Sequence, residues 1–171
     1  MARIVVTGGG GFLGQRLIGA LLESDRWVIN GDHVSIESLC VIDRVIPEYF
    51  RARGVETIEG DLLSIIRERH EIFEGVDAVI HLASAVSGEC EADLELGLEV
   101  NVNAGMALGR RLAQENNKPL LVFSSSLAVY GGTLEFPLPR VITDDIRPNP
   151  QNSYGAQKLI LETLYADLAR R

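Results

Sequence analysis

Tyr154 and Lys158 are the two side chains of this sequence whose types and spacing most directly suggest chemistry. They stand four residues apart in a stretch with helical periodicity, and residues four apart share one face of a helix. A phenol with an unperturbed pKa near 10 is a poor base at neutral pH, but an adjacent ammonium favours the phenolate. Such a pair could remove a proton from a hydroxyl while a hydride leaves the same carbon. The alternative is a surface pair on an amphipathic helix.

A run of serines precedes this helix. Ser124, Ser125 and Ser126 follow the apolar segment Leu120–Phe123, and the predicted strand is Leu120–Ser124. Ligands of parallel α/β sheets bind at the carboxyl ends of the strands. A serine hydroxyl at that edge could hold the reacting oxygen beside Tyr154.

A glycine-rich turn, Thr7–Gly14, lies between the apolar run Ile4–Val6 and an amphipathic stretch. A strand that turns sharply into a helix exposes backbone N–H groups, which attract a pyrophosphate. We expect Gly8 to permit the tight turn and Gly11 to let a phosphate approach. We expect Gly14 to let the helix pack closely on the strand. The position of the turn favours a dinucleotide site.

An acidic residue ends the predicted second strand, Ser38–Asp43. The Asp43 carboxylate can accept hydrogen bonds from ribose hydroxyls and would repel a 2′-phosphate, which favours NAD over NADP. Arg44 beside it weakens that preference. Asp32 competes for the role if Trp27–Asn30 is the true second strand, and a solvated loop aspartate is the other alternative.

Two further segments follow predicted strands, Gly60-Asp61-Leu62 and His81-Leu82-Ala83. Asp61 is expected to cap the next helix and, beyond that, to lie where adenine binds. The small residues after His81 would let the backbone approach a dinucleotide. His81 itself is expected to be a packed, hydrogen-bonded histidine rather than a catalyst.

Short apolar runs alternate along the sequence with segments of helical periodicity, which is typical of βαβ units and a parallel sheet. These predicted strands and helices must position the residues described above. The predicted strands are Arg3–Thr7, Ser38–Asp43, Val55–Glu59, Val76–His81 and Leu120–Ser124. The predicted helices are Phe12–Glu23, with Leu13, Leu17, Ala20 and Leu21 on one face, and Leu62–Phe73, Leu94–Glu115 and Ser153–Ala169. Ser24–Glu37 is expected to be an inserted loop or hairpin, and the proline-rich Thr133–Gln151 a loop.

Composition and length narrow the class of protein. A chain of 171 residues can bury one full core, so a single domain over residues 1–171 is expected. The net charge of −8 argues against nucleic acid and anionic membrane surfaces as partners. Cys40 and Cys90 have no metal or redox spacing and are expected to be buried free thiols. The residues after Met1 do not have the basic, apolar and small-residue pattern of a leader peptide, and no apolar stretch is long enough to span a bilayer. We therefore expect a soluble cytoplasmic protein, and we expect no metal site.

These segments together resemble the extended short-chain dehydrogenases/reductases, the NAD-dependent epimerase/dehydratase superfamily. The resemblance is carried by TGGGGFLG, Gly60-Asp61-Leu62, His81-Leu82-Ala83, Asn101-Val102-Asn103, FSSSLAVYG and Ser153-Tyr154-Gly155-Ala156-Gln157-Lys158. Within that group, HLASAVSGECEADLELGLEVN and VITDDIRPNPQNSYGAQK are most similar to D-erythronate dehydrogenase-like enzymes, which oxidise a hydroxyl of a small sugar acid.

The resemblance implies a Rossmann-type α/β fold, NAD as cofactor and a role for each site residue. Tyr154 corresponds to the catalytic base, Lys158 to the lysine that binds the nicotinamide ribose and supports the tyrosine, and Ser126 to the catalytic serine or threonine. Asn101 corresponds to an asparagine that contacts the cofactor from the long central helix. The residues expected to bind NAD are Gly8, Gly11, Phe12, Leu13, Gly14, Asp43, Asp61, Leu62, Leu82, Ala83, Asn101, Tyr154 and Lys158.

The resemblance also implies what surrounds this domain. Members of the family continue past the catalytic helix with further strands and a smaller substrate region, whereas this sequence stops at Arg171. We therefore expect a doubly wound sheet that lacks those C-terminal strands, in a fragment or a naturally short protein. The family pairs its long helices across a two-fold axis, so a homodimer through Leu94–Glu115 and Ser153–Ala169 is expected. A nucleotide-sugar epimerase or dehydratase and a non-catalytic dinucleotide-binding module are the rival functions.

Overall fold

The computed structural model describes residues 1–24, 27–135 and 137–171. They form two compact units, which we call the sheet unit (Met1–Ser84 and Arg110–Ser124) and the helical unit (Ala85–Gly109 and Ser125–Arg171). The expectations for the hairpin and proline-rich segments fall partly on residues 25, 26 and 136, which lie outside the described ranges. That residues 1–171 form a single domain stays a prediction.

The sheet unit contains a five-stranded parallel sheet. The strands in the described ranges are β1 Ala2–Thr7, β2 Trp27–Ile29, β3 Asp32–Val34, β4 Ile36–Asp43, β5 Glu56–Glu59, β6 Ala78–His81 and β7 Leu120–Phe123. The sheet has the order β5-β4-β1-β6-β7, and each pairing is parallel. The chain thus runs from β1 at the centre through β4 to β5 at one edge, and then from β6, on the other side of β1, to β7 at the other edge. This order confirms the predicted doubly wound Rossmann-type sheet.

The hairpin that separates the first helix from the second sheet strand is β2–β3. Its strands pair antiparallel from Trp27↔Val34 to Ile29↔Asp32. Asn30 and Gly31 both have positive φ, 51° and 91°, as a two-residue Asn-Gly hairpin turn requires. The inserted hairpin is therefore confirmed for its described residues, and β4 rather than Trp27–Asn30 is the strand that pairs with β1.

The first helix, α1 Phe12–Glu23, has the predicted bounds, and the predicted face is buried only in part. Leu21 is buried and Leu17 packs against the core, whereas Leu13 is 61% exposed and Ala20 is also exposed. The other buried residues of the helix are Gly14 and Ile18. Gly14 contacts the glycine-rich turn, and a Cβ on Gly14 would overlap Gly8 O and the Gly9 backbone. This close approach rotates Leu13 out of the interface.

The core of the sheet unit lies around β1 and β4. Its buried members are Ile4, Val6, Ile18, Leu21, Leu39, Val41, Ile46, Phe50, Val55 and Ala78. Near-continuous apolar strands of this kind are typical of parallel sheets that are buried on both faces. The core therefore anchors the carboxyl ends of β1 and β4, where Gly8 and Asp43 follow.

Two helices follow in this unit, α2 Tyr49–Ala52 and α3 Leu62–Glu68. The predicted helix Leu62–Phe73 is shorter, because Arg69 leaves helical geometry at φ −130° and a 3₁₀ turn, His70–Phe73, continues the chain. Ile72 and Phe73 are still buried. The apolar periodicity thus located the buried residues but not the break between them.

The helical unit begins with α4 Ser87–Ala92 and α5 Leu94–Gly97. A π-helical stretch, Leu98–Asn103, continues into α6 Ala104–Leu112, whose last three residues belong to the sheet unit. The predicted helix Leu94–Glu115 is therefore one helical run that ends three residues earlier and changes its hydrogen-bond period in the middle. Short π-helical insertions occur frequently at functional sites, and this one contains Asn101.

The last helix, α7 Ser153–Arg170, extends one residue beyond the prediction. Asn152 caps it, since its Oδ1 accepts a hydrogen bond from the Gly155 N–H at 2.7 Å. A Cβ on Gly105 would lie 2.5 Å from Leu161 Cδ1, and the Tyr165 hydroxyl donates to Gly105 O at 2.9 Å. The glycines that weaken the central helix therefore let α7 pack closely against it.

Three smaller expectations can be compared with the structure. Cys40 and Cys90 are free and buried, as predicted. The described part of Thr133–Gln151 contains no helix or strand, also as predicted. No helix in the described ranges is both long and apolar enough to cross a membrane.

Candidate active site

The glycine-rich turn lies at the point where the strand order reverses. Gly8 adopts φ +76°, which L side chains rarely occupy. A Cβ on Gly8 would overlap the backbone of Leu82 and Ala83. The structure thus brings together the residues that follow β1 and β6, the two strands at the switch point where ligands of open α/β sheets bind.

Asp43 holds the same turn from the other side. Its Oδ2 accepts a hydrogen bond from the Gly10 N–H at 2.8 Å, and its Oδ1 accepts one from the Arg44 N–H at 2.7 Å. The side chain is half-buried at the carboxyl end of β4. Asp32 is exposed on β3, so Asp43 is the aspartate that lies beside the turn.

The start of α1 fits a dinucleotide phosphate. Gly11 is the N-cap residue and no side chain in the described ranges caps this end of the helix. Phe12 is 77% exposed, and with Leu13 it leaves the first turn accessible. Backbone N–H groups at an uncapped helix start favour an anion. The overlaps that a Cβ would make on Gly8 and on Gly14 show that the turn, the start of α1 and the segment after β6 pack backbone to backbone, as in glycine-rich dinucleotide-binding turns.

The residues after β5 have a structural role that the sequence predicted. The Asp61 Oδ1 atom accepts hydrogen bonds from Ser64 N–H at 2.9 Å and from Ser64 Oγ at 3.0 Å, so Asp61 caps α3. Leu62 is buried in the first turn of that helix. The adenine contact of Asp61 and Leu62 stays a prediction.

His81 is a packed histidine, as predicted. It is 1% exposed, its Nδ1 lies 2.6 Å from Thr7 Oγ1, and its ring stacks on Phe123 at 5.7 Å. These contacts hold the carboxyl ends of β1, β6 and β7 together. His81 therefore supports the edge of the sheet on which the glycine-rich turn lies.

In the helical unit, Tyr154 and Lys158 lie together on α7. The Lys158 Nζ atom is 5.5 Å from the centroid of the Tyr154 ring. Lys158 is 2% exposed, and burial lowers its pKa to about 8, against a smaller opposing effect of Cys90. The ammonium therefore stays charged at neutral pH. A buried cation thus lies over the face of the half-buried Tyr154 ring.

Asn101 links three parts of the helical unit. Its Oδ1 accepts a hydrogen bond from the Ala85 N–H at 2.8 Å, and its Nδ2 donates to Gln157 Oε1 at 2.7 Å. Asn101 is 1% exposed and Gln157 2%. Gln157 Nε2 is buried without a hydrogen-bond partner in the described ranges. The direct cofactor contact expected of Asn101 stays a prediction, whereas its role in holding Ala85 and α7 is visible.

Ser126 is part of a tight turn that packs on α7. Its Oγ accepts a hydrogen bond from the Ala128 N–H at 3.1 Å and so caps the 3₁₀ turn Leu127–Val129. A Cβ on Gly155 would overlap Ala128 O, so only glycine lets the turn approach α7 next to Tyr154. A serine hydroxyl that accepts one hydrogen bond can still donate its own proton to another oxygen.

A family model described as the NAD dependent epimerase/dehydratase family matches residues 4–171 of the chain. The chain belongs to this NAD-dependent epimerase/dehydratase family. A D-erythronate dehydrogenase of Cupriavidus necator is 41% identical over 168 residues, which are 98% of this chain and 51% of the relative.

Two solved structures of similar proteins share the fold. A nucleoside-diphosphate-sugar epimerase of Agrobacterium tumefaciens is 30% identical with a TM-score of 0.85, over 99% of this chain and 49% of that one. MoeE5, solved with UDP-glucuronic acid and NAD, is 28% identical with a TM-score of 0.77, over 99% and 50%. The chain spans about half the length of the epimerase/dehydratase relatives that it matches.

Sequence reasoning missed two side chains near the family's residues, Gln157 and Glu162. Gln157 binds Asn101, and the Glu162 carboxylate accepts a hydrogen bond from the Ser125 hydroxyl. Glu162 stands four residues after Lys158, so the helical spacing that singled out Tyr154 and Lys158 also points to Glu162. For Gln157 no pattern in the sequence signals burial, because its partner is 56 residues away.

Proposed function

We propose that this chain carries the NAD-binding and catalytic residues of a dehydrogenase that oxidises a secondary alcohol of a small sugar acid such as D-erythronate. The observation that carries the proposal is the buried Lys158 cation beside Tyr154 on α7. The substrate class rests on the similarity to D-erythronate dehydrogenase.

The cofactor residues of the proposal lie in both units. The glycine-rich turn would hold the pyrophosphate, and Asp43 would accept hydrogen bonds from the adenosine ribose. Asp61 and Leu62 would lie where adenine binds, and Leu82 and Ala83 would let the backbone approach the dinucleotide. Lys158 would bind the nicotinamide ribose, and Asn101 and Tyr154 would also contact the cofactor. NAD when bound supplies the acceptor for the hydride that leaves the substrate carbon. Buried free thiols are typical of a reducing compartment, which supports a cytoplasmic location.

Residues of this chain would take up the proton that the substrate hydroxyl loses. The Tyr154 phenolate oxygen would take the proton of the substrate hydroxyl, since Lys158 stabilises the negative charge of the phenolate. Ser126 would donate its hydroxyl proton to the same substrate oxygen and so hold it in place. A positioned general base contributes about 10² to 10⁴ in rate.

The direct test is to mix the chain with NAD and D-erythronate and follow the absorbance of the reduced cofactor. Turnover supports the dehydrogenase. NAD binding without turnover of any small sugar acid would support the non-catalytic binding module instead. A chain that does not bind NAD contradicts both.

A second candidate function is a nucleotide-sugar epimerase. It is favoured by the TM-score of 0.85 with a protein titled a nucleoside-diphosphate-sugar epimerase. An epimerase would interconvert a nucleotide sugar without net accumulation of reduced cofactor. Separation of the sugar products after incubation with UDP-glucose distinguishes it from the dehydrogenase.

Asp43→Ala is expected to weaken NAD binding about tenfold or more, because a hydrogen bond to a charged group contributes about 1.5–3 kcal/mol. The preference for NAD over NADP should narrow, since the carboxylate no longer repels a 2′-phosphate. Titration of each cofactor by calorimetry measures both effects. Asp32→Ala is the matched control and should change neither affinity. An unchanged preference in Asp43→Ala would show that another group selects the cofactor.

We expect the chain to form a homodimer through exposed apolar side chains of α5 and α7. Leu108 and Leu161 are buried within the protomer, whereas Leu94 is 54% exposed and Ile160 45%. Apolar area left at the surface is what a partner would cover. Sedimentation at micromolar concentration should give a dimer for the parent chain and a monomer for Ile160→Asp. A monomeric parent chain contradicts the proposal, and a dimer that Ile160→Asp does not disturb contradicts the assigned surface.

A further inference from the structure

We propose that Glu162 is a positioning residue, which sets the place of Ser126 relative to Tyr154 through its hydrogen bond with Ser125. The inference rests on the proposed dehydrogenase function, because it concerns the oxygen that Ser126 would hold. The Glu162 carboxylate accepts a hydrogen bond from the hydroxyl of Ser125, the residue directly before Ser126. It acts on the backbone that carries Ser126.

The segment Ser125–Val129 contacts α7 at two places. At one end, Ala128 O packs against Gly155, where a side chain would overlap it. At the other end, the Ser125 hydroxyl donates to the Glu162 carboxylate. Gly155 and Glu162 are seven residues apart, which is about two helical turns along one face. The two contacts therefore bracket Lys158 along α7.

The hydrogen bonds inside the segment define its shape but not its position on α7. The Val129 N–H donates to Ser126 O at 3.2 Å, and the Ala128 N–H donates to Ser126 Oγ at 3.1 Å. Its far end is held by the Asn149 N–H, which donates to Val129 O at 2.9 Å. The bond of its first residue, Ser125, to Glu162 therefore adds to the contact at Gly155 in fixing where the turn lies on α7.

Glu162 has the right charge and environment for this contact. It is half-buried on α7, and a hydrogen bond from a hydroxyl to a carboxylate is stronger than one between neutral groups. It stands four residues after Lys158, as Lys158 stands after Tyr154. Tyr154, Lys158 and Glu162 thus lie along one face of α7. The turn that Ser126 caps is joined to this face by the hydrogen bond between Ser125 and Glu162.

The expected consequence is a loss in kcat with little change in the KM for NAD. Misplacement of a reacting group by about 1 Å can cost up to about a hundredfold in rate. We expect Glu162→Ala and Ser125→Ala each to lower kcat about tenfold and to leave the KM for NAD within about twofold. Glu162→Gln keeps an oxygen that can accept the hydrogen bond and should stay within about threefold of the parent.

The test is a double-mutant cycle with matched controls. The variants are Ser125→Ala, Glu162→Ala, both together and Glu162→Gln. The controls on the same helix are Asp167→Ala, which removes an exposed carboxylate, and Thr163→Ala, which removes a hydroxyl that bonds within the helix. If the two residues act through one contact, the double variant is no slower than either single variant. The proposal would be overturned if the double variant lost the product of the two single losses in kcat, or if the single variants left kcat unchanged. It would also be overturned if Glu162→Gln were as slow as Glu162→Ala.

A second readout does not depend on turnover. The Ala128 amide donates to Ser126 Oγ, so its NMR shift and hydrogen exchange report the position of the turn. We expect both to change in Glu162→Ala and in Ser125→Ala but not in Asp167→Ala. If the parent chain shows no turnover, the proposed function fails, and the Ala128 amide alone decides the positioning role. The positioning role would be overturned if the NMR shift and the hydrogen exchange of the Ala128 amide were the same in all variants.

Discussion

A Tyr154→Phe variant is expected to lose at least about a hundredfold in turnover while binding NAD within about twofold of the parent chain. The substitution removes the phenol oxygen that would take the substrate proton and keeps the ring. The ring still fills its half-buried place beside the Lys158 ammonium, 5.5 Å from its centroid. Cofactor binding and folding should therefore change little. Steady-state turnover and NAD titration on the same preparation measure the two quantities.

Tyr165→Phe is the matched control for this experiment. Tyr165 lies on the same helix, and its hydroxyl donates to Gly105 O. Burial raises the pKa of Tyr165, which keeps it a neutral phenol with a structural hydrogen bond. Its loss should lower stability and leave kcat nearly unchanged. If Tyr154→Phe keeps turnover within about tenfold, less than about 1.4 kcal/mol of barrier is lost, and Tyr154 is not the base.

Lys158→Met is expected to have two opposite effects, a loss of turnover and a gain in stability at neutral pH. Turnover is expected to fall because, in the proposed function, the Lys158 cation would support Tyr154 as the base. Stability rises because the wild-type chain buries this ammonium almost completely, at 2% exposure. The pKa falls from 10.5 to about 8 on burial, which corresponds to a cost of roughly 3 kcal/mol for the charged form.

The gain in stability should depend on pH in a defined window. Below pH 8 the lysine is protonated in both folded and unfolded chains, so the wild type carries the full cost of the buried charge. Between about 8 and 10.5 the unfolded chain holds its proton and the folded chain releases it. The free energy of unfolding of the wild type therefore rises with pH across this window. The advantage of Lys158→Met should shrink accordingly and vanish above it.

Urea unfolding at a series of pH values from 7 to about 10.5 measures this difference. Lys118→Met is the matched control, since Lys118 is the other lysine of the chain and is exposed. Its effect should stay within about 0.5 kcal/mol at every pH. A Lys158→Met variant that is less stable than the wild type at pH 7, or an advantage that does not change with pH, would contradict the buried-charge account.

Local sequence was enough to predict the strands of the parallel sheet, the helices α1 and α7, and the positions of the candidate site residues on them, but not the short helices α2 and α4. The bounds of α1 follow from an apolar periodicity that begins after the glycine-rich turn. Asp43 is placed at the end of a strand because Leu39–Ile42 is an apolar run followed by a charge. The spacing of Tyr154 and Lys158 puts them on one helical face whatever the helix packs against. These are short-range properties, and the structure agrees with each of them.

The tertiary structure decided how those elements are rotated, buried and tied together. The buried face of α1 includes Gly14, which packs against the turn after β1, as well as Ile18 and Leu21. The π-helical stretch around Asn101 follows contacts with Ala85 and Gln157 that join residues 16 and 56 positions apart. Lys158 is a cation and yet 2% exposed, on a helix that packs closely against the glycine-containing central helix. Which side chains are buried, and which residues they contact, depends on packing between distant parts of the chain, and no local pattern encodes that packing. The burial of Lys158 is what makes the spacing of Tyr154 and Lys158 electrostatically significant.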